Sequence, residues 1–267
     1  MTKSILLLPA AALCWLACQN PPAQQAAAPT ASAILQHKYW VSKPFHDALF
    51  AENIVDTLAY LPCGELVFRN LDTVFLTACL SDTGLGKYKV TSDSTLEIAV
   101  EGFEGQPATV RFDKATGILH FQLPGATDAG WPMAYVAHDD IDAAAFDAAA
   151  VNLGRKRLAG SYTVLPAPGE ATVTALVELR ADGTQVGLGD FDAYEPWPSG
   201  AGSAFIQEPA RNLMYLVKNS EAETPTAVAW QVRGDTLRIW DTKNIGAEGD
   251  LPEYRVDKLK GVYVKTK

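Results

Sequence analysis

The chain has 267 residues, of which 48% are hydrophobic, and carries 31 acidic against 22 basic residues for a formal net charge of -9. That length and apolar content suffice for one or two packed domains. A surface of that sign repels nucleic-acid phosphates, and no segment interleaves Lys and Arg with aromatics in a nucleic-acid-binding pattern, so no nucleic-acid partner is expected.

Lys3 gives a short positive start, and residues 5–17 form an apolar run interrupted by Pro9. The run is shorter than the roughly 20 residues a membrane-spanning helix needs. Small Ala17 precedes Cys18, as a peptidase that cleaves before cysteine requires; Trp15 and Leu16 fill the positions where the usual pattern has Leu and a small residue. Cys14 follows bulky Leu13 and is the poorer acceptor. The segment resembles a bacterial lipoprotein signal. The resemblance implies that residues 1–17 are removed, that Cys18 is acylated, and that the chain is lipid-anchored in the bacterial cell envelope, at the outer membrane. The other reading is an ordinary secretory signal cleaved after Ala17 or within residues 26–28; both export the protein. Two or more acyl chains hold such an anchor firmly. Loss of residues 1–17 removes Lys3 and leaves a charge of -10. Residues 18–33 hold three prolines and no charge, and read as a tether spanning about 20 Å on average.

The first folded domain is placed at residues 34–137. It opens on Leu35, Tyr39 and Val41, followed by a hairpin of residues 66–68 and 74–76 turning at 70–72. Symmetry about Leu71 sets Val67 against Phe75 and Cys63 against Cys79, within disulfide reach. With Cys14 discarded and Cys18 acylated, that pair is expected to form a disulfide in an oxidising compartment, worth about 3 kcal/mol in the entropic model. Residues 88–90 and 95–98, then 110–112 and 119–123, alternate as further hairpins. Residues 138–157 are a helical linker: an Ala-rich helix over 140–152, with Asp140 or Asp142 as N-cap and Gly154 as C-cap.

The second domain, residues 158–267, repeats landmarks of the first. Leu158, Tyr162 and Val164 echo Leu35, Tyr39 and Val41. Trp230, Val232, Asp235, Leu237 and Ile239 echo Tyr88, Val90, Asp93, Leu96 and Ile98, with one extra residue in the first copy. Residues 177–179 and 186–188 flank an Ala-Asp-Gly-Thr turn at 181–184. These motifs are similar to the lipocalin-like domains of bacterial lipoproteins, best matched over residues 158–260. The resemblance implies an all-β chain of two tandem small antiparallel β-barrels joined by a short helix. A single larger β-sandwich or barrel is the alternative. Leu61-Pro62-Cys63 also resembles copper- and envelope-stress-linked lipoproteins, but Leu66 stands where their second cysteine would be, so no metal site is carried over.

Catalytic groups are sparse. Asp82-Thr83-Gly84 has the aspartic-protease triplet, but such an enzyme needs a second aspartate near a two-fold axis, and the triplet is a good turn sequence. His37, His46, His120 and His138 form no His-x-x-x-His pair, and no serine sits in a Gly-x-Ser-x-Gly elbow. The acidic run Asp190 to Glu195 lacks calcium-loop spacing. Trp131, Tyr194 and Trp197, in Pro- and Gly-rich loops, are candidate ligand-binding aromatics at a barrel mouth; the same rings could plug a barrel end. Trp40, Trp230 and Trp240 are expected in cores. Lys258, Lys260 and Lys265 read as a solvated, edge-protecting strand face. The function expected is therefore non-enzymatic and without cofactor: binding a small apolar ligand in a barrel, or docking an envelope protein through the loops.

Overall fold

A computed structural model describes residues 33–51, 64–69, 72–78, 82–100, 106–124, 134–141, 148–166, 175–198, 205–206, 212–218, 224–247 and 252–266. The chain is mostly β. Strands β1 (Tyr39–Ser42), β2 (Glu65–Phe68), β3 (Thr73–Ala78), β4 (Asp82–Ser92), β5 (Thr95–Val100), β6 (Ala108–Asp113), β7 (Ile118–Gln122) and β8 (Ala134–Ala137) close into an antiparallel barrel in sequence order, with β8 returning to β1.

Strand alternation sends every second side chain inward. Trp40, Leu66, Phe68, Val74, Leu76, Leu96, Ile98, Val110, Leu119, Phe121 and Tyr135 pack against one another in the interior. A 3-10 turn, Ala33–Gln36, lays Ile34 onto this cluster, and its Ala33 N–H donates to the Asp93 carbonyl at 2.9 Å. The hairpin register is the expected one, Val67 opposite Phe75 and Glu65 opposite Thr77. The extra residue of the β4–β5 hairpin falls at a register shift between Val90 and Ser92.

β1 and β2 are buried on both faces. Tyr39, Val41 and Val67 point out of the barrel and join a second apolar cluster with two helices. The first, α1 (Lys43–Phe50), is absent from the sequence-based expectation. Pro44 suits its first turn, and Phe45 and Leu49, four apart, bury one face. The second, α2 (Ala148–Leu158), ends later than the helix expected over 140–152, and residues 142–147 of that expectation lie outside the described residues. Gly154 is not its C-cap but an interior residue: a Cβ there would stand 3.0 Å from Pro196 Cγ, so the glycine admits close approach of a strand. The helix ends at Leu158, and Gly160, whose φ of +150° suits glycine, opens the next strand.

Strands β9 (Gly160–Leu165), β10 (Leu176–Leu179), β11 (Gln185–Val186), β12 (Ala193–Trp197), β13 (Phe205–Ile206), β14 (Asn212–Val217), β15 (Thr226–Arg233), β16 (Thr236–Asn244) and β17 (Glu253–Lys265) form a nine-stranded sheet. Its order is β11-β10-β9-β17-β16-β15-β14-β12, with β13 paired parallel to β17 beside it. The ends of this order meet: Thr184 bridges Ala193, Gln185 N–H donates to the Asp192 carbonyl at 3.0 Å, and Tyr194 N–H donates to the Gly183 carbonyl at 2.8 Å. Val177, Leu179, Met214, Val228, Trp230, Leu237 and Ile239 fill its inner face, and Ala149, Ala150, Leu153 and Leu158 of α2 share that cluster.

Several expectations change. Residues 254–256 and 262–264 belong to one long strand, β17, which pairs with β16, with β9 at residues 262–265 and with β13 at residues 253–254; Lys258 and Lys260 lie exposed between these second-side pairings, 3.9 and 3.1 Å from Asp241. Trp240 is half-buried, because Leu237 and Ile239 take the inward positions of β16. The two echoed hairpins share facing but not place: three strands follow β4–β5 within the barrel, whereas one follows β15–β16. Tyr39 faces out of its barrel while Tyr162 faces the inner cluster of its sheet. Their likeness is one of turn chemistry and alternation.

Candidate functional site

Because Val110, Leu119 and Phe121 face the barrel interior, their neighbours on β6 and β7 face outward. The register sets Arg111 beside His120 and Thr109 beside Gln122. The 113–117 turn, closed by Gly117 at φ +70°, adds Lys114, and the β4–β5 turn adds Ser94. Together these residues line an open depression of about 890 Å³ in the barrel wall. Asp113 also lines it, but its carboxylate is turned onto its own loop. It accepts from the Thr116 hydroxyl at 2.8 Å and the Ala115 N–H at 2.9 Å, and these bonds hold its carboxyl below the usual range. Among the described residues neither Arg111 nor Lys114 has a carboxylate partner. Such a surface can donate hydrogen bonds to a polar or anionic group.

A second polar cluster sits where β8 leaves the barrel. His46 of α1 and His138 lie with ring centroids 5.1 Å apart, and His46 also contacts Phe50 at 4.9 Å. The His138 side chain is only 14% exposed, and its Nε2 is buried without a hydrogen-bond partner among the described residues. Burial, then the nearby His46 and Lys156 charges, push its pKa down to about 4. Around the pair, Asp47 bonds Lys43 and lies 3.3 Å from His46, Asp140 bonds Lys156, and Asp139 bonds His37 at 2.9 Å. Among the described residues no three His, Cys, Asp or Glu side chains are grouped to hold a metal ion.

The residues singled out from sequence scatter. Tyr194 is not in a loop: it lies on β12, fully buried, its hydroxyl donating to the Arg180 carbonyl at 2.8 Å and its phenol pushed up by burial. It is a core residue of the second sheet, held where the Ala-Asp-Gly-Thr turn meets β12. Trp197 ends the same strand, half-buried, with its indole N–H unbonded among the described residues. Cys18, Cys63, Cys79 and Trp131 lie outside the described residues. Asp82 opens β4 opposite Ala78 rather than forming a turn. In the acidic run at 190–195, Asp190 and Asp192 are exposed, and Glu195 lies 4.0 Å from Arg155.

Arg111 and Lys114 were not singled out from sequence. The signal was present: Val110-Arg111-Phe112 and Leu119-His120-Phe121 alternate in phase about one turn, which places Arg111 and His120 on one outer face. His46 and His138 are 92 positions apart, and nothing local joins them. Among the described residues no helix is long and apolar enough to cross a membrane. No protein-family model matches the chain, and comparison with curated proteins and with solved structures returns no match.

Proposed function

We propose that the chain is a non-enzymatic, lipid-anchored protein of the bacterial cell envelope, built as two tandem barrels that act as filled scaffolds and recognise partners on their outer surfaces. The observation that carries this reading is the packing of the first barrel's interior. Trp40, Leu66, Leu96, Ile98 and Tyr135 are completely buried there and touch one another, so the volume a lipocalin gives to its ligand holds side chains instead. Trp230 plays the same part in the second sheet. The bridge between Thr184 and Ala193 supports reading that sheet as a second barrel. The alternation of Glu65 opposite Thr77 supports a Cys63–Cys79 disulfide two positions further along the same hairpin. Acylation of Cys18, with residues 18–33 as a tether, would hold both barrels clear of the lipid.

A Cys18→Ala variant tests anchor and scaffold together. It is expected in the soluble envelope fraction; retention in the membrane would contradict the anchor. The soluble form, titrated with the neutral lipophilic dye Nile red, is expected to show no saturable uptake. One-to-one uptake would contradict the filled scaffold and restore the apolar-ligand reading.

A further inference from the structure

We propose that the depression on the outer wall of β6 and β7, beside the β4–β5 turn, is a binding site for a small hydroxyl-rich anion, its carboxylate or phosphate group held between Arg111 and Lys114. The proposal deepens the outer-surface reading and rests on it.

The placement is dictated by the fold. Inward Val110 and Phe112 force Arg111 outward, and the register puts His120 at its side. Lys114 reaches the same space from the tight turn at the end of β6. A guanidinium offers two parallel donors that match carboxylate and phosphate geometry, while a lysine ammonium adds a point charge. The chain's overall charge of -9 disfavours anions at long range. Within about 8–10 Å, the screening length at physiological salt, the local arrangement decides. There Asp113 spends its oxygens on Thr116 and Ala115, and Arg111 and Lys114 remain without carboxylate partners among the described residues.

The rest of the lining selects the remainder of the ligand. Ser94, Thr109 and Gln122 supply neutral donors and acceptors, and none of their side chains is hydrogen-bonded within the described residues. Phe112 is largely occupied with the interior, edge-on to Trp40 at 5.5 Å. A ligand with many hydroxyls fits such walls; a long apolar chain would leave these polar groups desolvated and unpaired. The volume, about 890 Å³ and open to solvent, is ample for a monosaccharide-sized molecule.

The test is saturation-transfer NMR on the full chain in neutral-detergent micelles, with glucuronate, glucose 6-phosphate and neutral glucose as probes. Saturable transfer to at least one anion and none to glucose is expected, weakened by high salt. Arg111→Gln and Lys114→Gln are each expected to lower affinity about tenfold or more. Arg111→Lys, which keeps the charge and loses the fork, should fall between. Transfer to glucuronate alone identifies a sugar carboxylate as the ligand group, and transfer to glucose 6-phosphate alone a phosphate. Transfer to neither, or an affinity in both glutamine variants unchanged from that of the unsubstituted chain, with unchanged melting temperatures, would overturn the proposal. Such a failure leaves the filled-scaffold reading untouched, because Nile red uptake tests that reading separately.

Discussion

The imidazoles of His46 and His138 face each other 5.1 Å apart, one on α1 and the other at the end of β8, with the buried one held neutral. The pair makes the junction between barrel and helices sensitive to acid. In an unfolded chain a histidine titrates near 6.5; in the fold His138 titrates at about 4. Between those values the unfolded state binds the extra proton, so stability is fully present above about pH 6.5 and is lost as pH falls toward 4. A loss of about 1–2 kcal/mol by pH 5 is expected, with some of the burial offset by water access. Urea unfolding at pH 7.5 and pH 5 checks it, and His138→Leu should remove most of the difference. Asp47 and Asp140, held below their ordinary range by hydrogen bonds to lysines, are destabilised only at lower pH, which separates their effect from that of His138.

The two fully buried tryptophans should respond differently to the same change. Trp230 Nε1 donates to the Leu213 carbonyl at 2.8 Å, whereas Trp40 Nε1 has no partner among the described residues. Replacement by phenylalanine leaves a small void at either site. At 230 it also removes a buried hydrogen bond to the Leu213 carbonyl. Trp230→Phe is therefore expected to cost about 1 kcal/mol more than Trp40→Phe in chemical denaturation. Equal costs would mean that the indole hydrogen bond contributes nothing.

Gly154→Ala runs against helix propensity. In an open helix it would stabilise by about 1 kcal/mol. Here the new methyl meets Pro196 Cγ at 3.0 Å and the Pro196 carbonyl at 3.2 Å. A net loss of about 1–2 kcal/mol is expected from overpacking. Gly117→Ala is the contrasting case: nothing lies within 4 Å of the added carbon, and the cost comes from φ of +70° alone, about 1 kcal/mol. Thermal melts of the two variants separate crowding from backbone strain.

Arg157 ties the helices together. Its Nε donates to the Leu49 carbonyl and its Nη2 to the Ala51 carbonyl, both at 3.2 Å, so a cation on α2 satisfies the C-terminal end of α1. Arg157→Ala should destabilise by about 1–3 kcal/mol. In hydrogen exchange, the amides of α1 should lose protection first, while those of the barrel interior keep it.

Much of the β architecture was written locally. The turn symmetry about Leu71 set the β2–β3 register, the alternation of Val110-Arg111-Phe112 with Leu119-His120-Phe121 set β6–β7, and the extra residue near Thr91 appears as an irregularity in pairing. What stayed hidden depends on distant partners. α1 is too short to show a period, and its face is fixed by Tyr39, Val41 and α2. Gly154 looks like a helix stop until Pro196 is seen against it. Tyr194 sits beside prolines and glycines and so reads as a loop, yet pairing of Glu195 with Tyr215 and of Pro196 with Met214 carries the strand through to Trp197. The polar depression was implicit in the alternation, but its Ser94 wall comes from another hairpin.

The central question is whether the barrels hold side chains or a ligand. Native mass spectrometry of the full chain, released in mild detergent from its own membrane, measures this directly. Expected are an acyl mass on Cys18, the mass of a closed Cys63–Cys79 bond, and no apolar small molecule retained in stoichiometric amount. A stoichiometric apolar ligand carried through purification, and lost only on unfolding, would contradict the filled-scaffold reading.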